Sequence, residues 1–361
     1  MKKIKVLHIS ETFAAGVYTY IKDINQFFNN IEYIDSYVIY SGNRNDTDRN
    51  KFKTDFPEST KLIEVSMGRE ISPLKDLKST ISLFKHIRNI KPDVIHLHSS
   101  KAGVLGRIAS KAHTKSRVFY TPNGYSFLRE DVSTGKKKIF RIIEKWTNKI
   151  FGGITIACGD TEFEYAQKLG KALLVRNGVE IDSVYTLKEH SILKKEGQFI
   201  VGTMGRLSPQ KNPSLFNQIA LKIPEINFVW IGDGELSNSI TAKNIKIVGW
   251  MPREEALKEV NKFDIYIQTS LWEGLPFTII EAMILEKAII ANNVIGNKDA
   301  VKHNYNGFLC SSTEEFVNSI KTLQKDKALL EKMGISSNIR AKELFDRDKN
   351  FLGLLDIYLN E

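Results

Sequence analysis

Phe199-Ile200-Val201-Gly202-Thr203-Met204 runs directly into Gly205-Arg206-Leu207-Ser208-Pro209-Gln210-Lys211-Asn212. The first six residues are a short apolar run of the kind that forms a buried strand. Gly205 then lets the backbone turn closely. Arg206 and Lys211 place a bidentate cation and a point cation at one strand end. Such a pair suits a pyrophosphate, although either residue taken singly would be an ordinary surface cation.

Similar runs recur along the chain. Strand-like segments start at Ile4–Ile9 and continue at 33–40, 93–98, 118–121 and 153–157. Helical patterns separate them. A second series follows at 199–204, 227–232, 245–248, 264–268 and 288–291. Strands alternating with helices argue for parallel sheets covered on both faces. At 361 residues the chain exceeds one typical core and fits two α/β domains. Asn177-Gly178-Val179 reads as the junction, and residues 188–197 read as a polar surface insertion. In open parallel sheets a ligand sits beyond the carboxyl ends of the strands, which is where the cations above lie.

The segment Glu273-Gly274-Leu275-Pro276-Phe277-Thr278-Ile279-Ile280-Glu281 reads as a loop entering a helix. Pro is tolerated at a first helical turn. The amides of Leu275, Phe277 and Thr278 would then face a phosphate at the positive helix end. Glu281 lies about one turn inside and Glu273 in front, so two carboxylates bracket the cradle. That layout fits a nucleotide sugar, with ribose at one Glu and sugar at the other. Alone, two Glu residues eight positions apart would be solvated side chains.

Three elements in series, Gly205-Arg206…Lys211-Asn212, Gly232-Asp233-Gly234 and Glu273…Glu281-Ala282, resemble glycosyltransferase family 4. The resemblance covers most of the chain. It implies α/β architecture of the GT-B type: two Rossmann-like parallel-sheet domains facing a central cleft. Residues 1–178 would form the acceptor-binding domain and 179–344 the nucleotide-sugar-binding domain. A C-terminal helix, 345–361, would cross back to the first domain.

The resemblance also implies retaining, metal-independent transfer from a UDP-sugar, possibly N-acetylated. Arg206 and Lys211 would neutralise the leaving diphosphate, and Glu273 would hold the sugar and stabilise the anomeric carbon. Gly205, Gly274, Leu275, Phe277, Thr278 and Glu281 would bind the donor. Gly249 would read the base edge. Trp250 either packs near the base or belongs to the core. Gly16, in Glu11-Thr12-Phe13-Ala14-Ala15-Gly16, stands where many members have Gly-Gly. It either lets the backbone approach the donor or simply starts a helix. His98, Ser99 and Lys101, in His96-Leu97-His98-Ser99-Ser100-Lys101, would contact the acceptor, with His96 packed inside. Ser99 and Ser100 can cap the following helix. In Thr121-Pro122-Asn123-Gly124, Asn123 replaces the family's usual His. An amide cannot act as a base but can donate and accept hydrogen bonds, which fits a front-face route. No metal ligand and no cofactor are expected.

The formal net charge of +10 favours anionic partners. Lys136-Lys137-Lys138 opens a segment in which Ile139, Ile142, Ile143, Trp146 and Ile150 recur at helical spacing. That stripe either packs on its own sheet or meets anionic lipid bearing an undecaprenyl-pyrophosphate-linked acceptor. The resemblance to bacterial capsule and surface-polysaccharide enzymes favours a cytoplasmic protein attached peripherally to the inner face of the membrane. Cys158 and Cys310 lie far apart without metal-ligand spacing, as in a cytosolic chain lacking structural disulfides. No apolar run is long enough to span a bilayer. A nucleic-acid-binding protein would need a concentrated basic-aromatic face, and the cations here are dispersed. A nucleotide-sugar-binding protein with little or no transferase activity is the alternative that Asn123 permits.

Overall fold

The computed structural model describes residues 3–43, 49–68, 70–189 and 198–361. From position 190 onward, the polar run at 188–197 lies outside the described residues. The chain divides into two compact units. The first comprises Met1–Leu128, Val132–Val175 and Asp348–Glu361; the second comprises Arg129–Asp131 and Arg176–Arg347.

The first unit runs β1 (Ile4–Ser10), α1 (Ala15–Asn29), β2 (Ile34–Tyr40), α2 (Phe52–Asp55), β3 (Lys61–Glu64), α3 (Pro73–Ile90) and β4 (Val94–His98). It continues with α4 (Ser100–Ala109), β5 (Arg117–Thr121), α5 (Thr134–Phe151), β6 (Ile154–Ala157), α6 (Asp160–Gln167) and β7 (Ala172–Leu174). Among the described residues these strands form one sheet, ordered β3-β2-β1-β4-β5-β6-β7, and every pair is parallel. Alternation along β1 and β4 divides their side chains between two faces. Leu7, Ile9, Ile95 and Leu97 join Leu83 and Ile87 of α3 and Ala102 and Leu105 of α4 in one core. His8, His96 and His98 take the opposite face. There they meet Phe28 of α1 and Tyr358 of the C-terminal helix α14 (Arg347–Asn360). That helix belongs almost wholly to the first unit: Phe351 packs edge-on against Tyr20, and Arg117 donates to the Leu359 carbonyl at 2.9 Å.

The second unit holds α7 (Ile181–Glu189), β8 (Ile200–Met204), α8 (Pro213–Lys222), β9 (Asn227–Ile231), β10 (Ile245–Gly249), α9 (Arg253–Asn261) and β11 (Ile265–Gln268). Then come α10 (Phe277–Ile284), β12 (Ala288–Asn292), α11 (Asn297–Ala300), β13 (Gly307–Cys310), α12 (Thr313–Lys325) and α13 (Lys327–Leu344). Its sheet is ordered β10-β9-β8-β11-β12-β13, again all parallel. Phe216, Phe228 and Trp230 anchor its core. The sequence reading omits β3, β7 and β13, which are short strands at sheet edges and carry too few residues for a periodic signal.

Strand order reverses between β1 and β4 in the first unit and between β8 and β11 in the second. Such a reversal opens a crevice at the carboxyl ends of the strands.

Helix α5 decides against the alternative in which its apolar stripe packs on its own sheet. Ile139, Ile142, Trp146 and Ile150 are exposed, while Glu144 and Thr147 are buried. Inward, Phe140 packs on the core and Ile143 is half-buried, and beside them lies a polar network. Glu144 accepts from the Tyr120 hydroxyl at 2.7 Å and lies 3.6 Å from the guanidinium of Arg107, itself buried over the Tyr120 ring. Burial pushes the Glu144 carboxyl up, against the opposing pull of Arg107.

Candidate active site

The loops after β8 and β11 meet at the switch point of the second unit. Leu271 donates its amide to the Gln210 carbonyl at 2.8 Å, and the Thr269 hydroxyl donates to the Lys211 carbonyl at 2.8 Å. These bonds bring Lys211 Nζ to 2.7 Å from Glu273 Oε1. Gln268 donates to Glu273 Oε1 at 3.1 Å and Gln210 to Oε2 at 3.1 Å. Glu273 is buried and its backbone is held by Ile295. Burial alone would lower the pKa of the Lys211 ammonium, but the adjacent carboxylate outweighs it and the net shift is upward. Lys211 therefore stays charged. Arg206 is exposed at the end of the same strand.

Glycines let neighbouring loops approach this point. Gly205 has φ +153°, and a Cβ on Gly232 would come within 2.2 Å of its carbonyl oxygen. Gly249 has φ +77° and accepts from the Gly232 amide at 2.8 Å. The next residue, Trp250, is 71% exposed, so the core alternative for it is excluded. Gly296 packs against Gly274 so tightly that a Cβ would fall 2.5 Å from the Gly274 carbonyl oxygen.

Helix α10 starts at Phe277, one residue later than the expected turn, with Pro276 as its extended N-cap residue. The amides of Phe277 and Thr278 lie in the first turn, where intrahelical partners are lacking. Leu275 is buried, and its carbonyl accepts from Asn177 at 3.3 Å. Glu281 is one turn in and buried, with Oε1 2.6 Å from Arg253 Nε.

The first unit holds the remaining residues. Asn123 lies after β5 with φ +54°, half-buried, and its amide donates to the Thr121 carbonyl at 3.3 Å. Gly16 sits inside α1, and the left-handed residue at that bend is Ala15, φ +49°. Ser99, φ +70°, supplies no side-chain cap to α4. The cap comes from Glu11, whose Oε2 accepts from the Ala102 amide at 3.0 Å. Burial raises the pKa of Glu11 despite that bond. His98 does not face an acceptor, because it is fully buried with Nε2 3.0 Å from His8 Nδ1. Lys101 turns into its own unit, 2.7 Å from Asp76. Both acceptor-contact expectations, for His98 and Lys101, are thus corrected by burial and pairing.

The buried histidines also have ligand atoms within 4.8 Å of one another. The His96 and His98 rings are tilted by 35° with centroids 4.2 Å apart, and His8 stacks on His98 at 5.2 Å. Both nitrogens of His96 have partners, Thr121 at 2.8 Å and the Tyr358 hydroxyl. Burial holds the cluster neutral: His8 is lowered to about 3, and His96 and His98 shift in the same direction.

Sequence reasoning passed over Gln268, Arg253, Gly296 and Glu11. Gln268 offered a signal, as the polar end of the apolar strand Ile265-Tyr266-Ile267. Arg253 reaches Glu281 across 28 positions and offered none.

Two Rossmann-like units, one with glycine-lined strand ends and a carboxylate–ammonium pair at its switch point, define a GT-B glycosyltransferase. Comparison with known proteins gives the family. The model for glycosyl transferases group 1 matches residues 186–339, and that for glycosyl transferase 4-like proteins matches 45–152. The Escherichia coli UDP-Gal:alpha-D-GlcNAc-diphosphoundecaprenol alpha-1,3-galactosyltransferase is 33% identical over 296 residues, covering 73% of this chain and 74% of its own. The Staphylococcus aureus capsular polysaccharide biosynthesis glycosyltransferase CapM is 23% identical, covering 78% and 80%. Among solved structures, Anabaena HepE in complex with UDP and glucose superposes with a TM-score of 0.78 at 18% identity, covering 99% of this chain and 100% of that one. The chain belongs to glycosyltransferase family 4, and it is a glycosyltransferase.

Proposed function

We propose that the protein transfers a sugar from a UDP-sugar, with retention and without a metal, to an undecaprenyl-diphosphate-linked glycan in bacterial surface-polysaccharide synthesis. The observation that carries this reading is Lys211 held charged against Glu273 beside the first turn of α10. As the glycosidic bond to the diphosphate breaks, negative charge grows on the leaving oxygen. Lys211, Arg206 and the amides of Phe277 and Thr278 are oriented donors for that charge. Such donors contribute about 3–4 kcal/mol each when removed singly. Glu273 holds sugar hydroxyls and steadies the positive anomeric carbon. Glu281, oriented by Arg253, binds the ribose, and Trp250 lies beside the base. Asn123 supplies an amide where a base is not needed, because on a front-face route the departing phosphate takes the acceptor proton. The lipid-linked acceptor is drawn from the E. coli relative's substrate. Attachment to the inner face of the cytoplasmic membrane is supported by the outward apolar stripe of α5.

Thermal shift with UDP, GDP, ADP and their sugars tests the donor. A ligand at 100 times its dissociation constant adds about 2.7 kcal/mol. A UDP-selective shift that vanishes in Lys211→Ala is expected. A shift with GDP alone would overturn the UDP assignment, and an unchanged shift in Lys211→Ala would overturn the site.

A further inference from the structure

We infer that α3 is a second membrane-docking helix, acting with α5 to seat one side of the first unit on an anionic phospholipid surface. The inference rests on the lipid-linked acceptor reading. Leu74, Leu77, Ile81 and Phe84 recur at three- and four-residue spacing and are all exposed, Leu74 at 78%. The opposite side of α3 is anchored, with Ser79, Leu83 and Ile87 buried and the Ser79 hydroxyl donating to the Ser66 carbonyl at 2.7 Å. The exposed stripe is thus not the helix's own packing face.

The two helices cover the same face of the sheet. Leu83 and Ile87 of α3, Ala102 and Leu105 of α4, and the half-buried Phe140 of α5 share one core. Helix α4 lies between α3 and α5 and packs against both. Both apolar stripes therefore open on one side of the unit.

Charge selects the occupant. Helix α3 carries Lys75, Lys78, Lys85 and Arg88, all exposed. Helix α5 carries six more cations, including Lys138, Arg141, Lys145 and Lys149. The acids of these helices are turned away from solvent, Asp76 against Lys101 and Glu144 against Tyr120. An open hollow of ≈590 Å³ on α3 is lined by Thr80, Ile81, Phe84, Lys85, Arg88 and Asn89. Apolar ridges bordered by cations complement a surface with hydrocarbon below an anionic headgroup layer. A second copy of this chain would instead bring like charge against like charge.

Flotation of the full chain with phosphatidylglycerol vesicles, against phosphatidylcholine vesicles, tests this. The unaltered chain floats with the anionic vesicles, and Leu77→Asp with Phe84→Asp lowers its partition about tenfold or more. Leu77→Ser with Phe84→Ser, which adds no charge, produces a smaller loss in the same direction. The thermal shift with UDP is measured on each variant and stays unchanged, so a failure of the donor reading is seen separately. Flotation of the α3 variants equal to the unaltered chain, with loss only in Ile142→Asp and Trp146→Asp, would overturn the role of α3. Equal flotation with phosphatidylcholine would overturn the choice of an anionic surface. A dimer in light scattering that the α3 variants dissociate would reassign the face to a second copy.

Discussion

At its strand ends the second unit takes left-handed backbone mainly with glycine, whereas the first does so mainly with residues that carry a side chain. At the ends of β8, β9 and β10 the left-handed positions are Gly205, Gly232 and Gly249, and Asn212, φ +52°, follows further along the loop after β8. In the loops after β1, β4 and β5 the left-handed residues with a side chain are Ala15, Ser99 and Asn123, with φ of +49°, +70° and +54°, and Gly124, φ +89°, follows Asn123. Glycine at such a position allows close approach at no steric cost. A residue with a Cβ there stores strain, and such outliers concentrate at binding sites. The difference also extends to charge. In the second unit the buried carboxylate Glu273 faces the site and holds a cation. In the first, Glu11 is spent on the N-terminus of α4 and Glu144 on Tyr120. On the proposed reading the second unit thus turns its buried charges toward the donor, while the first uses the buried carboxylates Glu11 and Glu144 to hold shape.

The largest effect that separates the units is on turnover. Lys211→Ala and Glu273→Ala should each reduce transfer about a thousandfold, since each removes an oriented charge and orphans its partner. The same measurement on Lys101→Ala, whose ammonium is tied to Asp76, should change turnover by less than tenfold. Equal losses in all three would show that the two units share the catalytic burden.

Stability reverses that ranking. Glu144→Ala leaves Arg107 buried without its carboxylate and should cost about 3 kcal/mol or more. Hydrogen exchange at the amides of β5 and α5 would localise the loss to the first unit. Glu144→Gln, which can still accept from Tyr120, should cost less. If exchange instead rises evenly across both sheets, the network is not a local clamp.

How far these features could be read in the sequence follows from the same contrast. The donor elements lie in short contiguous stretches, so Gly205 to Lys211 and Glu273 to Glu281 declare themselves by spacing. The alternation of strands and helices was legible because strands buried on both faces are continuous apolar runs. The first unit's logic is not contiguous. Periodicity showed that α5 is amphipathic but not which face points inward. That is settled by Arg107 and Tyr120, 37 and 24 positions before Glu144. His98 looked like a strand-end contact, and only the return of α14 and the neighbouring His8 explain its burial.

The buried histidines give a smaller effect with a definite sign. In the folded chain His8 titrates at about 3 instead of 6.5 because burial penalises the imidazolium, and His96 and His98 are lowered too. Tyr20 and Tyr358, which face the cluster, are themselves pushed up by burial and stay neutral. Above 6.5 the histidines are neutral in both folded and unfolded chains, and their contribution to stability is fully present. Below it the unfolded chain binds protons that the folded chain refuses, so stability falls as pH drops toward 3. Each histidine contributes up to about 1.4 kcal/mol per pH unit in that window. Urea unfolding at pH 7 and pH 5 reads the slope, and His98→Gln should flatten it. An unchanged slope in that variant would place the acid sensitivity elsewhere.

The smallest effect bears most directly on the strain itself. Ala15 holds a left-handed conformation that costs a residue with a Cβ about 1–2 kcal/mol. Glycine would remove that cost but give back part of it through greater freedom in the unfolded chain. Ala15→Gly should therefore stabilise the first unit by about 0.5–1 kcal/mol, read as a higher urea midpoint. If the strained bend exists to hold the loop after β1 in a binding conformation, the same variant should raise KM for the acceptor while leaving the UDP thermal shift in place. A gain in stability with no change in KM would make Ala15 a tolerated replacement for glycine and nothing more. A loss of stability would mean that the methyl group contributes packing that outweighs the backbone strain, and the contrast between the two units would then rest on Ser99 and Asn123 alone.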